Sequence, residues 1–261
     1  LATIHCGTVR FRNIQAVVFD KDGTLADSHD FLWNLAQKRA RLIDAQIPGV
    51  QEPLLMAFGL NEGQLNPAGL MAVGSRLENE IAAAAYVAET GRDWGESLGI
   101  VRSAFMEADS IFKCKADHTP LFEGIRELLQ NLTRAGVRIG ILSADTTQNV
   151  RDFIEQYDLM GLVQVGRGTD MGPGKPDPTL FHQICAELGV EPQGAIAIGD
   201  STIDMEMARA AGAAGCVGVT WGGVKPSVLA GADAVIPHLS VIQVVHDQGV
   251  SDSGEVANSF A

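Results

Sequence analysis

Residues 17–28 read VVFDKDGTLADS and set Asp20 and Asp22 two positions apart, where an apolar run opens into a Gly-Thr turn. On a strand, residues two apart point the same way, so both carboxylates can project from the carboxyl edge of a sheet, where ligands of open α/β folds bind. Turn punctuation after a strand is the plainer reading of Asp-Gly. Three further segments favour chemistry. IGILSAD ends an apolar run on Ser143, whose hydroxyl and neighbouring amides suit a phosphate oxygen, although a lone Ser there also suits a helix cap. GPGKPDP fixes Lys175 among backbone-restricting residues, a way of presenting an ammonium to a phosphoryl group where most lysines are merely solvated. AIAIGDSTID closes another apolar run on Asp200, with Asp204 four residues on. Carboxylates without basic neighbours in sequence suit a hard cation such as Mg²⁺. Helix capping by Asp200 and a dipole interaction of Asp204 explain one acid well and two less well.

Competing motifs fail. Thr169 stands where a P-loop before Lys175 needs Gly, and Pro176 where it needs Ser or Thr. GDSTI lacks the second Gly of a nucleophile elbow. The histidines have no metal-ligand spacing. The net charge of -13, from 19 Lys+Arg against 32 Asp+Glu, leaves no basic footprint for nucleic acid. A bound divalent cation would still let so acidic a chain hold an anionic substrate. Cys6, Cys114, Cys185 and Cys216 are scattered, which reads as reduced thiols rather than a disulfide or zinc framework. No apolar stretch approaches a membrane span and no basic-then-apolar leader opens the chain, so the expectation is a cytoplasmic protein without a membrane partner.

These residues need elements to bring them together. From residue 118 onward helical and strand patterns alternate with short connections. FEGIRELLQNLTRAG, TTQNVRDFIEQY, DPTLFHQICAELG and DMEMARAAG have helical spacing, and VRIGIL, GLVQVG, AIAIGD, GCVGVT and AVI read as strands. Asp177 is set as an N-cap with Pro178 at the first helical position. That alternation predicts an α/β fold, a doubly wound parallel sheet covered on both faces. Residues 28–117 instead read as helices, a module inserted after the first core strand that returns near residues 116–120. The expected division is a discontinuous core of 14–27 and 118–246, a helical cap of 28–117, an N-terminal extension of 1–13 as a ribbon or edge strand, and a poorly ordered tail of 247–261.

Taken in order, DKDGTL, Ser143, Lys175 and GDSTID resemble the four motifs of the haloacid dehalogenase superfamily. GKPDP, GDSTIDMEMARAAG and GVTWG are most similar to its phosphoglycolate phosphatase and β-phosphoglucomutase branch, whose helical cap is inserted after the first motif. The resemblance implies a Mg²⁺-dependent phosphatase of a small soluble phosphomonoester, with Asp20 as nucleophile and Asp22 as acid and base. Ser143 and Lys175 would hold the phosphoryl group. Mg²⁺ would be bound by Asp20, the main-chain carbonyl of Asp22, Asp200 and Asp204. A sugar phosphomutase is the nearest alternative, and a non-catalytic binding protein on the same fold a more distant one. Two features depart from the family pattern: Lys21 replaces an apolar residue, and SAD at residues 143–145 replaces a more usual Ser/Thr-Asn, which puts Asp145 near an anionic substrate. Lys38, Arg39, Arg41 and Arg76 of the cap are candidate anion contacts, with a solvated helix face as the plainer reading.

Overall fold

The computed structural model describes residues 1–170 and 172–246; the expected tail of 247–261 lies outside them. The chain opens with β1 (Ala2–Cys6), β2 (Val9–Ile14) and β3 (Ala16–Phe19). It then enters a helical excursion of α1 (His29–Asp44), α2 (Gln51–Phe58), a small hairpin β4 (Leu60–Asn61) and β5 (Gln64–Leu65), α3 (Leu70–Val73), α4 (Arg76–Glu89) and α5 (Trp94–Ile111). The alternating part follows as α6 (Ile125–Arg134), β6 (Arg138–Leu142), α7 (Thr147–Gln156), β7 (Val165–Arg167), α8 (Pro178–Leu188), β8 (Ala195–Gly199), α9 (Thr202–Ala210), β9 (Gly215–Val219), β10 (Ala234–Ile236) and β11 (Ile242–His246).

Six of these strands form one parallel sheet in the order β10-β9-β8-β3-β6-β7. Its strands read as near-continuous apolar runs because both faces are covered. Val17, Phe19, Ile139, Ile141, Ile196 and Ile198 point into a core shared with α6 and α7. Their strand neighbours Ala16, Val18, Ala195 and Ala197 point into another shared with α8 and α9. The predicted doubly wound α/β sheet with an inserted helical cap is the fold observed. The direction of winding reverses at β3, which pairs with β6 on one side and β8 on the other, and this is the crevice position of such sheets.

The inserted helices close on a core of their own. Phe31, Leu35, Ile43, Leu54, Phe58, Val101 and Phe105 are buried there, apart from the sheet cores. Ser75 caps α4 through a reciprocal box with Glu78, and Asp93 caps α5, so each of these helices starts where a side chain satisfies a free amide. Among the described residues no helix is long and apolar enough to cross a membrane.

At the front of the chain the ribbon β1-β2 becomes a three-stranded antiparallel sheet, because β11 pairs along β1. Ile4, Phe11 and Ile14 of this sheet are buried in the α6 and α7 core. Its third strand comes from 240 residues away in sequence, which no local pattern reveals.

Candidate active site

β3 and β8 run side by side, with Phe19 opposite Ile198, so the residues after both strands emerge at the same edge. Asp20 follows β3 and donates its amide to the Ile198 carbonyl (2.8 Å), continuing the ladder one residue past the strand. Asp200 follows β8, and Asp204 sits in the first turn of α9. Carboxylate oxygens of Asp20, Asp200 and Asp204 lie within 4.8 Å of one another. Small residues make that approach possible. A Cβ on Gly23, at φ +81°, would sit 2.0 Å from Asp200 Oδ2, and one on Gly199 2.4 Å from Asp204 Oδ2.

Lys175 reaches this cluster from the loop before α8. Its Nζ donates to Asp20 Oδ1 at 2.6 Å and to Asp204 Oδ1 at 2.7 Å, with its side chain only 2 % exposed. Burial and the neighbouring acids push the Asp20 carboxyl up to about 6 even against the Lys175 charge. Asp200 is raised well above the ordinary carboxylate range by burial, with Asp20 and Asp204 adding to it. Burial works against the Lys175 charge, but Asp20 and Asp204 outweigh it and keep the group an ammonium. Asp200 has no ion-pair partner among the described residues, and the donor set is all oxygen, so the cluster fits a hard divalent cation.

Asp22 lies on the other side of the same loop in a different environment. Its Oδ2 accepts from Lys21 Nζ (2.7 Å) and Lys115 Nζ (2.8 Å), and Lys115 also donates to Asp145 Oδ2 at 2.6 Å. Lys21 lies 3.5 Å from that same Asp145 oxygen. Burial opposes the charge on Asp22, yet Lys115 and Lys21 overcome it and hold the carboxyl below its usual range. The other oxygen, Asp22 Oδ1, is buried without a hydrogen-bond partner. A buried acceptor left unsatisfied costs about 1–3 kcal/mol, which sets this oxygen apart from the paired Oδ2.

Ser143 follows β6, whose Ile141 faces Phe19, which places the hydroxyl one strand from Asp20 at the same edge. It is buried, and its Oγ accepts the Asp145 amide at 3.2 Å. The structure therefore brings Asp20, Lys175, Asp200 and Asp204 into one contact set and places Ser143 and Asp22 beside it.

Three features differ from what the sequence suggests. Asp200 is not the cap of α9. Ser201 takes that role, in a box in which its amide and hydroxyl donate to Asp204 Oδ2 at 3.3 and 2.5 Å, and this frees the Asp200 carboxylate. Arg39 and Arg76 are spent inside the insert. Arg39 is buried against Asp109 at 3.0 Å and stacked over Phe105, and Arg76 pairs with Glu80 and Asp109. Arg41 is exposed. Finally, Lys115 was missed. Its signal was indirect: Asp145 adds an acid beside Asp22 at the edge and Lys21 supplies one cation for the two, so a second cation had to come from elsewhere in the chain.

The insert covers this edge. Asp22, Gly23 and Asp200 of the core face Ser28, Leu32 and Leu65 of the insert across a cavity of about 30 Å³, roughly one water's share of liquid volume. Two core loops pack beneath it. Trp221 Nε1 donates to the Thr24 carbonyl at 2.9 Å, and Gly222 sits so close that a Cβ would lie 2.5 Å from the Gly23 carbonyl.

The chain matches the family model of haloacid dehalogenase-like hydrolases over residues 14–212. It is similar to an N-acetylmuramic acid 6-phosphate phosphatase of Pseudomonas putida, 27% identical over 242 residues, covering 91% of this chain and 98% of that one. It is also similar to a phosphoglycolate phosphatase of Salmonella typhi, 25% identical over 254 residues, covering 95% and 99%. In fold it is similar to a crystal structure of a predicted phosphoglycolate phosphatase from Haemophilus somnus, with a TM-score of 0.62 at 18% identity, covering 86% of this chain and 94% of that one.

Proposed function

Because the chain belongs to the haloacid dehalogenase-like hydrolases, in the phosphoglycolate-phosphatase-like branch with helical insertions, we propose that it is a Mg²⁺-dependent phosphatase of a small phosphomonoester. The observation that carries this reading is Asp20 at the β3 edge, 2.6 Å from Lys175 and within reach of Asp200 and Asp204. An ordinary structural ion pair would not need two further buried carboxylates beside it.

In this mechanism Asp20 attacks phosphorus and forms an aspartyl-phosphate as the ester oxygen leaves, which divides one hard displacement into two. Asp22 gives the leaving oxygen its proton, and then as a carboxylate takes a proton from the water that attacks the phosphoenzyme. Lys115 and Lys21 hold Asp22 as a carboxylate in the free site, so the proton it hands over arrives with the substrate as a monoanionic phosphate ester. Its unpartnered Oδ1 is the oxygen left for the leaving group and the water. Lys175 and Ser143 hold the transferring phosphoryl oxygens and offset their charge. Asp20, the Asp22 carbonyl, Asp200 and Asp204 would hold Mg²⁺, which would offset the charge of the phosphoryl group when bound. The insert, which faces Asp22, Gly23 and Asp200 across the pocket, would act as a cover over the leaving group.

The relatives are named for phosphoglycolate and N-acetylmuramic acid 6-phosphate, so both belong in the test panel. The experiment is phosphate release from such a panel with Mg²⁺ and with chelator. Release that depends on the metal is expected. Folded protein that releases none from any member overturns the reading, and a hexose 6-phosphate formed from a 1-phosphate replaces it with a mutase.

A further inference from the structure

Lys115 lies in the 3₁₀ turn Lys115–His118, on the segment that returns from the insert to the core. The turn is fixed from below by Tyr157, whose hydroxyl donates to the Ala116 carbonyl at 2.8 Å, and the Thr119 hydroxyl donates to the Lys115 carbonyl at 3.2 Å. The ammonium also lies 5.5 Å from the ring centre of Phe31 on the insert's first helix. From there it joins two carboxylates, Asp22 at 2.8 Å and Asp145 at 2.6 Å.

Both partners stand where their charge matters. Asp145 follows Ser143 by two residues, next to the proposed phosphoryl pocket, where a bare carboxylate would repel the substrate. Lys21 alone is a poor answer, since it sits 2.7 Å from Asp22 but 3.5 Å from Asp145. For Asp22, two donors on Oδ2 fix the carboxylate plane and leave Oδ1 facing inward, unpartnered.

We propose that Lys115 is a positioning residue with two separable tasks: it orients Asp22 for proton transfer and neutralises Asp145 so that the phosphoryl pocket accepts an anion. The inference rests on the phosphatase reading of this site. The two tasks predict different kinetic signatures. Losing the orientation of Asp22 lowers kcat, because a catalytic group displaced by about 1 Å can cost about 10²-fold. Exposing the Asp145 charge raises KM, by about tenfold if the coupling is near 1.4 kcal/mol.

The test compares full-length wild type, Lys115→Gln, and Lys115→Gln with Asp145→Asn, on the best phosphomonoester of the panel with Mg²⁺. The single variant is expected to lose kcat about 10²-fold and to raise KM, together with the inhibition constant of inorganic phosphate, about tenfold. In the double variant KM and the phosphate constant return to within about twofold of wild type while kcat stays low. Should the single variant fail to fold, the double variant carries no extra charge and decides alone: low kcat with near-wild-type KM supports the inference. Wild-type kcat in either variant, or a raised KM that the second substitution does not restore, overturns it. Wild-type protein without metal-dependent turnover overturns the phosphatase reading instead, so the two failures are distinguishable.

Discussion

The two halves of the site differ in how their charge is closed. On one side Asp20 and Asp204 share the single ammonium of Lys175, and Asp200 beside them has no ion-pair partner among the described residues. On the other, Asp22 and Asp145 are matched by Lys21 and Lys115. The first half is short of positive charge and the second is complete, although both are buried and Asp20 and Asp22 stand on the same loop. A buried charge without a partner is costly, and a buried charge with one is costly to disturb. The same substitution, Asp to Asn, should therefore act in opposite directions on the two sides.

The largest effect is expected at Asp20, the proposed nucleophile. Asp20→Asn keeps the size and removes the charge that would attack, and turnover is expected to drop by about 10⁴-fold or more, as when other covalent nucleophiles are removed. Phosphate release measured at matched protein concentration checks it, and activity within tenfold of wild type would remove Asp20 from the chemistry. Next is Asp200→Asn, which tests the charge deficit directly. Under the proposed function, saturating Mg²⁺ at about 100 times its Kd is expected to stabilise the wild type by about 2.7 kcal/mol, a rise in Tm of about 5 °C or more. Asp200→Asn should lose most of that metal-dependent rise, while its metal-free Tm sits above that of the metal-free wild type. A lower metal-free Tm would show that Asp200 has a partner that the static charges do not reveal.

How much of this was legible in the sequence depends on distance along the chain. The sheet was readable because buried parallel strands are apolar throughout and the intervening helices carry a 3.6-residue period. Asp20, Ser143 and Asp200 could be placed at one sheet edge because each follows an apolar run that forms a strand. What local pattern could not supply was the pairing between distant segments. β11 joins β1 from the opposite end of the described chain, and Lys115 reaches Asp22 across 93 positions. The capping alternative for Asp200 is settled only by the structure. GDST offers two candidate caps, and Ser201 takes the role because the Asp204 side chain reaches back to its amide, which leaves Asp200 free. Arg39 and Arg76 looked like surface cations because their acids, Asp109 and Glu80, lie on other turns and other helices.

On the balanced side the sign reverses. Asp145 Oδ2 takes the 2.6 Å bond from Lys115, and its Oδ1 accepts the Thr146 amide and the Asn149 side chain. Asp145→Asn removes the charge that answers Lys115, so it is expected to destabilise the metal-free protein by about 1.5–3 kcal/mol, or about 3–6 °C in Tm. Urea titration of the two Asn variants under chelator places them on opposite sides of wild type. Equal signs would collapse the distinction between the halves.

The smallest effect tests whether the halves are independent. Residues 20–24 carry Asp20 to one half and Asp22 to the other, and the loop is held from outside by Trp221, whose indole donates to the Thr24 carbonyl. Trp221→Phe keeps most of the ring and deletes that one bond, which costs about 1 kcal/mol of stability, or about 2 °C. If the loop moves as one piece, its loosening weakens metal response and proton transfer together, so apparent Mg²⁺ affinity and kcat fall by similar small factors. If Lys115 anchors Asp22 independently of the loop, only the Mg²⁺ response changes. Mg²⁺ titrations of kcat in this variant separate the two cases, because Asp22 is tied from outside the loop by Lys115 and Asp20 shares its single ammonium with Asp204.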